Sequence, residues 1–258
     1  MILLVLVVGL LVGLAPPPGL PALWLGTLGY TAIALWLIVR SHRWATAIYV
    51  AVTCAGSFSV EWLAVHWRGI LTHDMTPRFG GVSLMGVLQD FSGAALALSL
   101  AAALFPAGKA LTRAVVAGAL MFVADLVASP CAAWMGYYTY YPPFFAWPAS
   151  LGLDRVPAVP WDEPLGMAGM VFLTTAIFEM IRRRLDLVEK PFSLRWTALA
   201  FGCLTFPHWS WAAHHGHWGL FALDTALLTA VAVLVAWRCL AGSPTASALP
   251  APALTAEA

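Results

Sequence analysis

The chain has 258 residues, 61% of them hydrophobic and 10% charged, with a net charge of +1. Ordinary globular chains run roughly 25% charged and 45–50% apolar, so a soluble domain and a disordered tail protein are excluded. The near-neutral balance also leaves no broad basic face for nucleic acid. Cys54, Cys131, Cys203 and Cys239 are scattered with no CxxC spacing. They mark neither a zinc site nor a disulfide framework and read as small apolar filler.

An all-α polytopic membrane protein is the class that remains. A bilayer core needs about 20 apolar residues per spanning helix. Weakly charged runs fall at 19–39, 44–65, 82–105, 112–133, 164–181, 195–213 and 219–238. That predicts seven spans. An eighth candidate covers 1–15, ahead of Pro16-Pro17-Pro18-Gly19. It is short for a full crossing and lacks a basic n-region and an A-x-A site, so a signal peptide is a poor reading. The bundle is thus expected to hold seven or eight transmembrane helices in one domain, 1–241. A disordered tail rich in Ala, Pro, Ser and Thr follows over 242–258.

Orientation follows the lysines and arginines. One set of loops carries ten of the thirteen: Arg40, Arg43, Lys109, Arg113, Arg182, Arg183, Arg184, Lys190, Arg195 and Arg238. The opposite set carries Arg68, Arg78 and Arg155. The first set is expected to face the cytoplasm of a multi-pass cell-membrane protein.

On that map Glu61, Asp90, Asp125, Asp162 and Glu163 fall in the outer half of the bundle, with Asp224 and His208, His214, His215 and His217 at a similar level. The inner half holds Glu179, close to the cytoplasmic arginines. An ionisable residue within a span costs at least about 2.5 kcal/mol on insertion scales and usually marks function. Several at one depth point to a shared polar pocket; private pairing or snorkelling near the interface is the plainer alternative. Nine tryptophans lie on the outer side and four on the inner. An interfacial belt accounts for most of them, but indole faces also stabilise cations. Carboxyl groups and indoles opening to lipid suit carbocation chemistry on an isoprenoid.

The long outer segment carries the most specific pattern. Asp125 is followed by Ser129-Pro130, then Trp134, then Gly136-Tyr137-Tyr138-Thr139-Tyr140-Tyr141-Pro142-Pro143, and later by Pro160-Trp161-Asp162-Glu163. This stretch, about 124–172, resembles the integral-membrane lycopene cyclases of the fused or heterodimeric type, in which a P-x-E-E element is the most recognisable feature. Here Asp162 stands for the first Glu, and Leu165-Gly166-Met167-Ala168 replaces the usual aromatic run. A related resemblance is to the bisanhydrobacterioruberin hydratase family of carotenoid enzymes, whose usual Asn in the second element is absent. A faint internal echo accompanies this. Glu61 precedes Gly69-Ile70-Leu71-Thr72-His73 much as Asp125 precedes Gly136-Tyr137-Tyr138-Thr139-Tyr140. Asp90 then occupies the next helix, as Asp162 and Glu163 do. The membrane lycopene cyclases resemble duplicated three-helix units, and the echo is compatible with that.

The resemblance implies acid-initiated cyclisation of a lipid-soluble polyene: a neutral carboxyl protonates a terminal alkene and a neighbouring double bond closes the ring. Burial and a second carboxylate nearby favour the protonated form. Candidate catalytic groups are Asp125, Asp162, Glu163, Glu61 and Asp90, with Asp162, Glu163 and Asp125 sharing the proton and Glu163 leading. An acidic first turn after Pro160 is the plainer reading of Glu163. Substrate is expected to meet Trp134, Tyr137, Tyr138, Tyr140, Trp161, His208 and Trp211. No cofactor is required, and no GxGxxG or P-loop is present to bind one. The histidines of 208–217 read as interfacial, as a proton relay or as a metal cluster; His66 and His73 lie in a distant loop, and no metal site is expected. Carotenoid hydration, a membrane terpene cyclase and a small-molecule transporter remain the alternatives. Expected partners are membrane lipid, a second copy of the chain or other enzymes of the same pathway.

Overall fold

The computed structural model describes residues 20–106, 109–141, 146–150, 153, 156–187 and 189–241. The eighth candidate span at 1–15 and the tail at 242–258 lie outside the described residues. Seven helices of 19 to 25 residues form the bundle: α1 (Leu20–His42), α2 (Ala45–Leu63), α3 (Leu84–Leu104), α4 (Ala110–Trp134), α6 (Asp162–Arg184), α7 (Leu194–His214) and α8 (Trp218–Ala241). A short helix, α5 (Trp147–Ser150), sits in the long loop before α6. Each long helix coincides with one apolar run of the sequence. Five of the seven, α2 with its extension, α3, α4, α6 and α8, are long and apolar enough to cross a membrane.

The central helix is α3. Its spanning window is 83% buried, against 22% for α8. The run Ser92-Gly93-Ala94-Ala95 is small all round, and small residues let neighbouring backbones approach. Around it α1, α2, α4 and α7 pack directly, while α4 lies closest along α6. Gly118 makes that last approach possible: a Cβ there would sit 3.0 Å from the Ala168 carbonyl and 3.2 Å from Phe172 Cβ. Gly118→Ala is therefore expected to lower stability by about 1–3 kcal/mol, the usual range for overpacking, read as a lower unfolding midpoint in detergent. An unchanged midpoint would mean the two helices separate freely.

Two small antiparallel ribbons, absent from the all-α expectation, close one end of the bundle. β1 (Leu71–His73) pairs with β4 (Tyr138–Tyr140), and β2 (Arg78–Phe79) with β3 (Val82–Ser83). Hydropathy does not register such short pairs. They form because the loops fold onto the bundle end, where backbone groups must be satisfied internally. The register sets Thr72 opposite Thr139, with Leu71 opposite Tyr140 and His73 opposite Tyr138. The two echoed stretches thus pair with each other about a local two-fold axis. Each begins at a glycine of positive φ, Gly69 at 61° and Gly136 at 77°, the left-handed conformation that ends a helix and favours glycine. Before Gly69, α2 runs on through a π turn, Ala64–Arg68.

At the opposite end a buried ionic network ties the connecting loops. Arg113 pairs with Glu179 at 2.9 Å and with Glu189 at 2.8 Å. It also donates to the carbonyls of Phe105 and Pro106. Arg182 reaches the same two glutamates at 2.9 and 3.2 Å.

Candidate functional site

Two helical hairpins build the site. The first, α2–β1–α3, supplies Glu61 two residues before the end of α2 and Asp90 two turns into α3. The second, α4–β4–α6, supplies Asp125 and Glu163. These four carboxyl side chains are nearly inaccessible, at 2, 7, 6 and 8% exposure respectively. They gather at the ribbon end of the bundle. Asp90, Asp125 and Glu163 line one cavity of about 130 Å³, between α1, α3, α4, α7 and the start of α6. Glu61 stands behind Asp90, side chain to side chain.

Each carboxyl has a specific neighbour. Ser57 Oγ donates to Asp90 Oδ2 at 2.6 Å. Ser129 Oγ donates to Asp125 Oδ2 at 2.9 Å, one turn along α4. Tyr140 OH donates to Glu163 Oε1 at 3.3 Å. His73 Nε2 lies 3.1 Å from Glu61 Oε2, both side chains fully enclosed. Four carboxyl groups held together away from water cannot all ionise, because desolvation and mutual repulsion both oppose it.

The ribbon residues above the cluster are themselves shifted. Burial pushes the His73 imidazole down to about 4, against the pull of Asp90, so it is neutral at pH 7. Burial and then the neighbouring carboxylates push the Tyr138 and Tyr140 phenols well above their usual range. Tyr138 stacks edge-on to His73 at 5.0 Å.

The remaining wall is mostly apolar, with Met121, Ala124 and Leu204 among its side chains. Two breaks in helical regularity shape it. Pro207 has no N–H to bond the carbonyl one turn earlier, and that carbonyl, of Cys203, accepts instead from Tyr30 OH at 3.1 Å. This bond ties α1 to α7 beside the cavity. On α4, Pro130 follows Ser129 in the same way and leaves the Leu126 carbonyl without its helical donor.

Several candidates stand elsewhere. Asp162 does not join the cluster: its carboxylate, 41% exposed, pairs with Arg68 at the surface. Adjacent residues at a helix start point about 100° apart, so Glu163 turns inward as Asp162 turns out. Of the expected substrate-facing residues, Tyr137, Tyr138 and His208 line the cavity. Tyr140 touches it through Glu163. Trp134, Trp161 and Trp211 pack instead in a separate apolar cluster with Trp147. His215 and His217 stack on Trp134 and Trp211 at 4.5 and 4.8 Å, outside the cavity. Among the described residues no group of three or more His, Cys, Asp or Glu side chains is arranged to hold a metal ion.

Sequence reasoning passed over His73, Tyr30, Ser57 and Ser129. His73 had a signal: it occupies, in the first echoed stretch, the place of Tyr140 in the second. Tyr30, Ser57 and Ser129 carry none, since hydroxyls are common in apolar helices. Comparison of the chain with protein-family models, with curated proteins and with solved structures finds no match.

Proposed function

We propose that the protein is a multi-pass membrane enzyme that cyclises the end of a polyene isoprenoid by acid initiation. The observation that carries this reading is the cavity: apolar over most of its wall, with three buried carboxyl groups opening into it. At about 130 Å³ it is well below the roughly 300–1,000 Å³ of a site that encloses a whole drug-sized ligand. It suits the end group of a long chain whose remainder lies in lipid. All seven long helices are taken as spans, α1 and α7 joining the five that qualify by length and composition. The pairing of the two echoed stretches with each other as β1 and β4 fits an origin in duplicated helical units.

In this mechanism Asp125 and Glu163 hold the proton to be donated. Transfer to the terminal alkene forms a C–H bond and leaves a tertiary carbocation. The π electrons of a neighbouring double bond attack it and close a C–C bond. Loss of a proton from the carbon next to the new cationic centre forms the ring alkene, so substrate and product are isomers. The phenols and the enclosed wall exclude water from the cation.

The test is expression in a host that makes lycopene, with pigments separated and weighed. A new pigment at the mass of lycopene is expected. A product heavier by one water would replace cyclisation with hydration of the same double bond. Unchanged pigment across several acyclic precursors would remove the isoprenoid reading, and uptake into proteoliposomes would then test a transporter.

Topology is open to a separate check. In a cysteine-free background, Arg78→Cys in the outer loop is expected to react with an impermeant thiol reagent on intact cells. Lys190→Cys should react only after permeabilisation. The reverse pattern would invert the map and place the cavity toward the cytoplasm.

A further inference from the structure

The local two-fold sets unlike residues at equivalent places. Shifting 69–73 onto 136–140 superposes Thr72 on Thr139 and His73 on Tyr140. His73 lies 3.1 Å from Glu61, and Tyr140 donates to Glu163. One side of the cluster therefore carries an imidazole, which can accept a proton. The other carries a phenol, whose O–H donates a hydrogen bond to Glu163 and keeps its proton. Glu61 reaches the cavity through Asp90, whose carboxyl it meets side chain to side chain and to which Ser57 Oγ donates. His73 Nδ1 is buried without a hydrogen-bond partner, as are Nε2 and both Glu61 oxygens apart from their own close approach; the next residue on the strand, Asp74, is exposed and marks where solvent begins.

Resting on the reading above, we infer that His73, Glu61 and Asp90 form the proton-accepting arm of the site, opposite the donating pair Asp125 and Glu163. Asp90 is the group that faces the cavity and takes the proton. Glu61 and His73 act through it, as positioning residues that move the proton away. When the ring cation forms, a C–H bond beside it breaks and its electrons form the alkene. The proton passes to an Asp90 carboxylate oxygen, then to Glu61, and through His73 toward water at the ribbon. The donating pair regains one proton from water, so each turnover is balanced. Tyr138, Asp74 and Arg78 are the other polar or charged groups acting on His73; Asp74 and Arg78 lie away from the cavity, and Tyr138, which lines it, meets His73 with its ring edge.

Two measurements on the full chain test this. The first needs no turnover: infrared spectra of purified protein in detergent, in H₂O and D₂O. If Glu61 and Asp90 share one proton, a single carboxylic-acid band should vanish in both Glu61→Gln and Asp90→Asn. The same band should shift, without vanishing, in His73→Gln. Separate bands lost one per variant, or no response to His73→Gln, would overturn the arm. The second measurement is product partition in the pigment-forming host. His73→Gln and Asp90→Asn should go on consuming substrate while the share of water-trapped alcohol or shifted-alkene product rises several-fold. Asp125→Asn and Glu163→Gln should stop consumption instead. A misfolded protein lowers the total without changing that partition, and a merely loosened wall, which admits water, raises the alcohol without the shifted alkene. Wild-type protein that leaves every polyene unchanged overturns the cyclase reading and, with it, this use of the arm. Wild-type protein that cyclises, with His73→Gln matching it in rate and in products, overturns the arm alone.

Discussion

Asp125→Asn and Glu163→Gln should each lower polyene conversion by about 10²–10⁴-fold, the usual contribution of a general acid. Expression and detergent-solubilised yield should stay near those of the wild type. Each substitution keeps the shape of the side chain and removes only the acidic proton. Ser129 and Tyr140, which donate to Asp125 and Glu163, can donate equally to the amide oxygens that take the place of those carboxyl oxygens, so the cavity wall is preserved. Asp162→Asn is the control. Its carboxylate is half-exposed and pairs with Arg68; surface pairs of that kind are worth about 0–1 kcal/mol. Its effect on conversion should stay below about tenfold. Equal losses in all three variants would move the chemistry from the cavity to the mouth of α6. Losses below about tenfold for both Asp125→Asn and Glu163→Gln would move the donor to Asp90 and Glu61.

Arg113→Met should be the most destabilising single change among the inner charges. Arg113 is 3% exposed and joins four acceptors on three segments: the α3–α4 turn, α6 and the loop after α6. Its loss takes from Glu179, fully buried, one of its two partners at 2.9 Å and leaves it to Arg182 and to the more exposed Arg183 at 3.4 Å. Removing one partner of a buried ion pair typically costs about 3–5 kcal/mol, because the other charge remains desolvated. The measurement is an unfolding midpoint in detergent, and the expected result is a large drop or failure to accumulate. Adding Glu179→Gln to Arg113→Met should recover part of the loss, since the stranded charge is then gone. No recovery would mean Arg113 acts through its carbonyl contacts instead.

These two ends of the bundle were not equally legible in the sequence. The helices were, because the desolvation of a run of about 20 apolar residues is a local property. Every apolar run from 19 to 238 became a helix. The depth of the acids was legible for the same reason, as position along a helix follows directly from residue number at about 1.5 Å per residue. Glu61, Asp90, Asp125 and Glu163 could thus be placed at one level of the bundle before any contact between them was known. The echo around Gly69 and Gly136 was also visible, as two glycine-headed stretches of similar order.

What only the tertiary structure decided is which of those groups face each other. That depends on the rotation of each helix about its axis and on the path of the loops, and neither leaves a local signature. Asp162 and Glu163 are neighbours in sequence with the same chemistry, yet one pairs with Arg68 at the surface and the other enters the cavity. Trp134, Trp161 and Trp211 share the outer level with Tyr137 and Tyr138, but pack among themselves because their helices turn them toward α8 and the long loop. His73 sits twelve residues from Glu61 in a loop that looked remote; strand pairing with Tyr138 folds it back over the carboxyl. Tyr30 meets a carbonyl freed by Pro207 on another helix. A proline reads in sequence as a missing donor, and only the packing of α1 against α7 determines which hydroxyl replaces it.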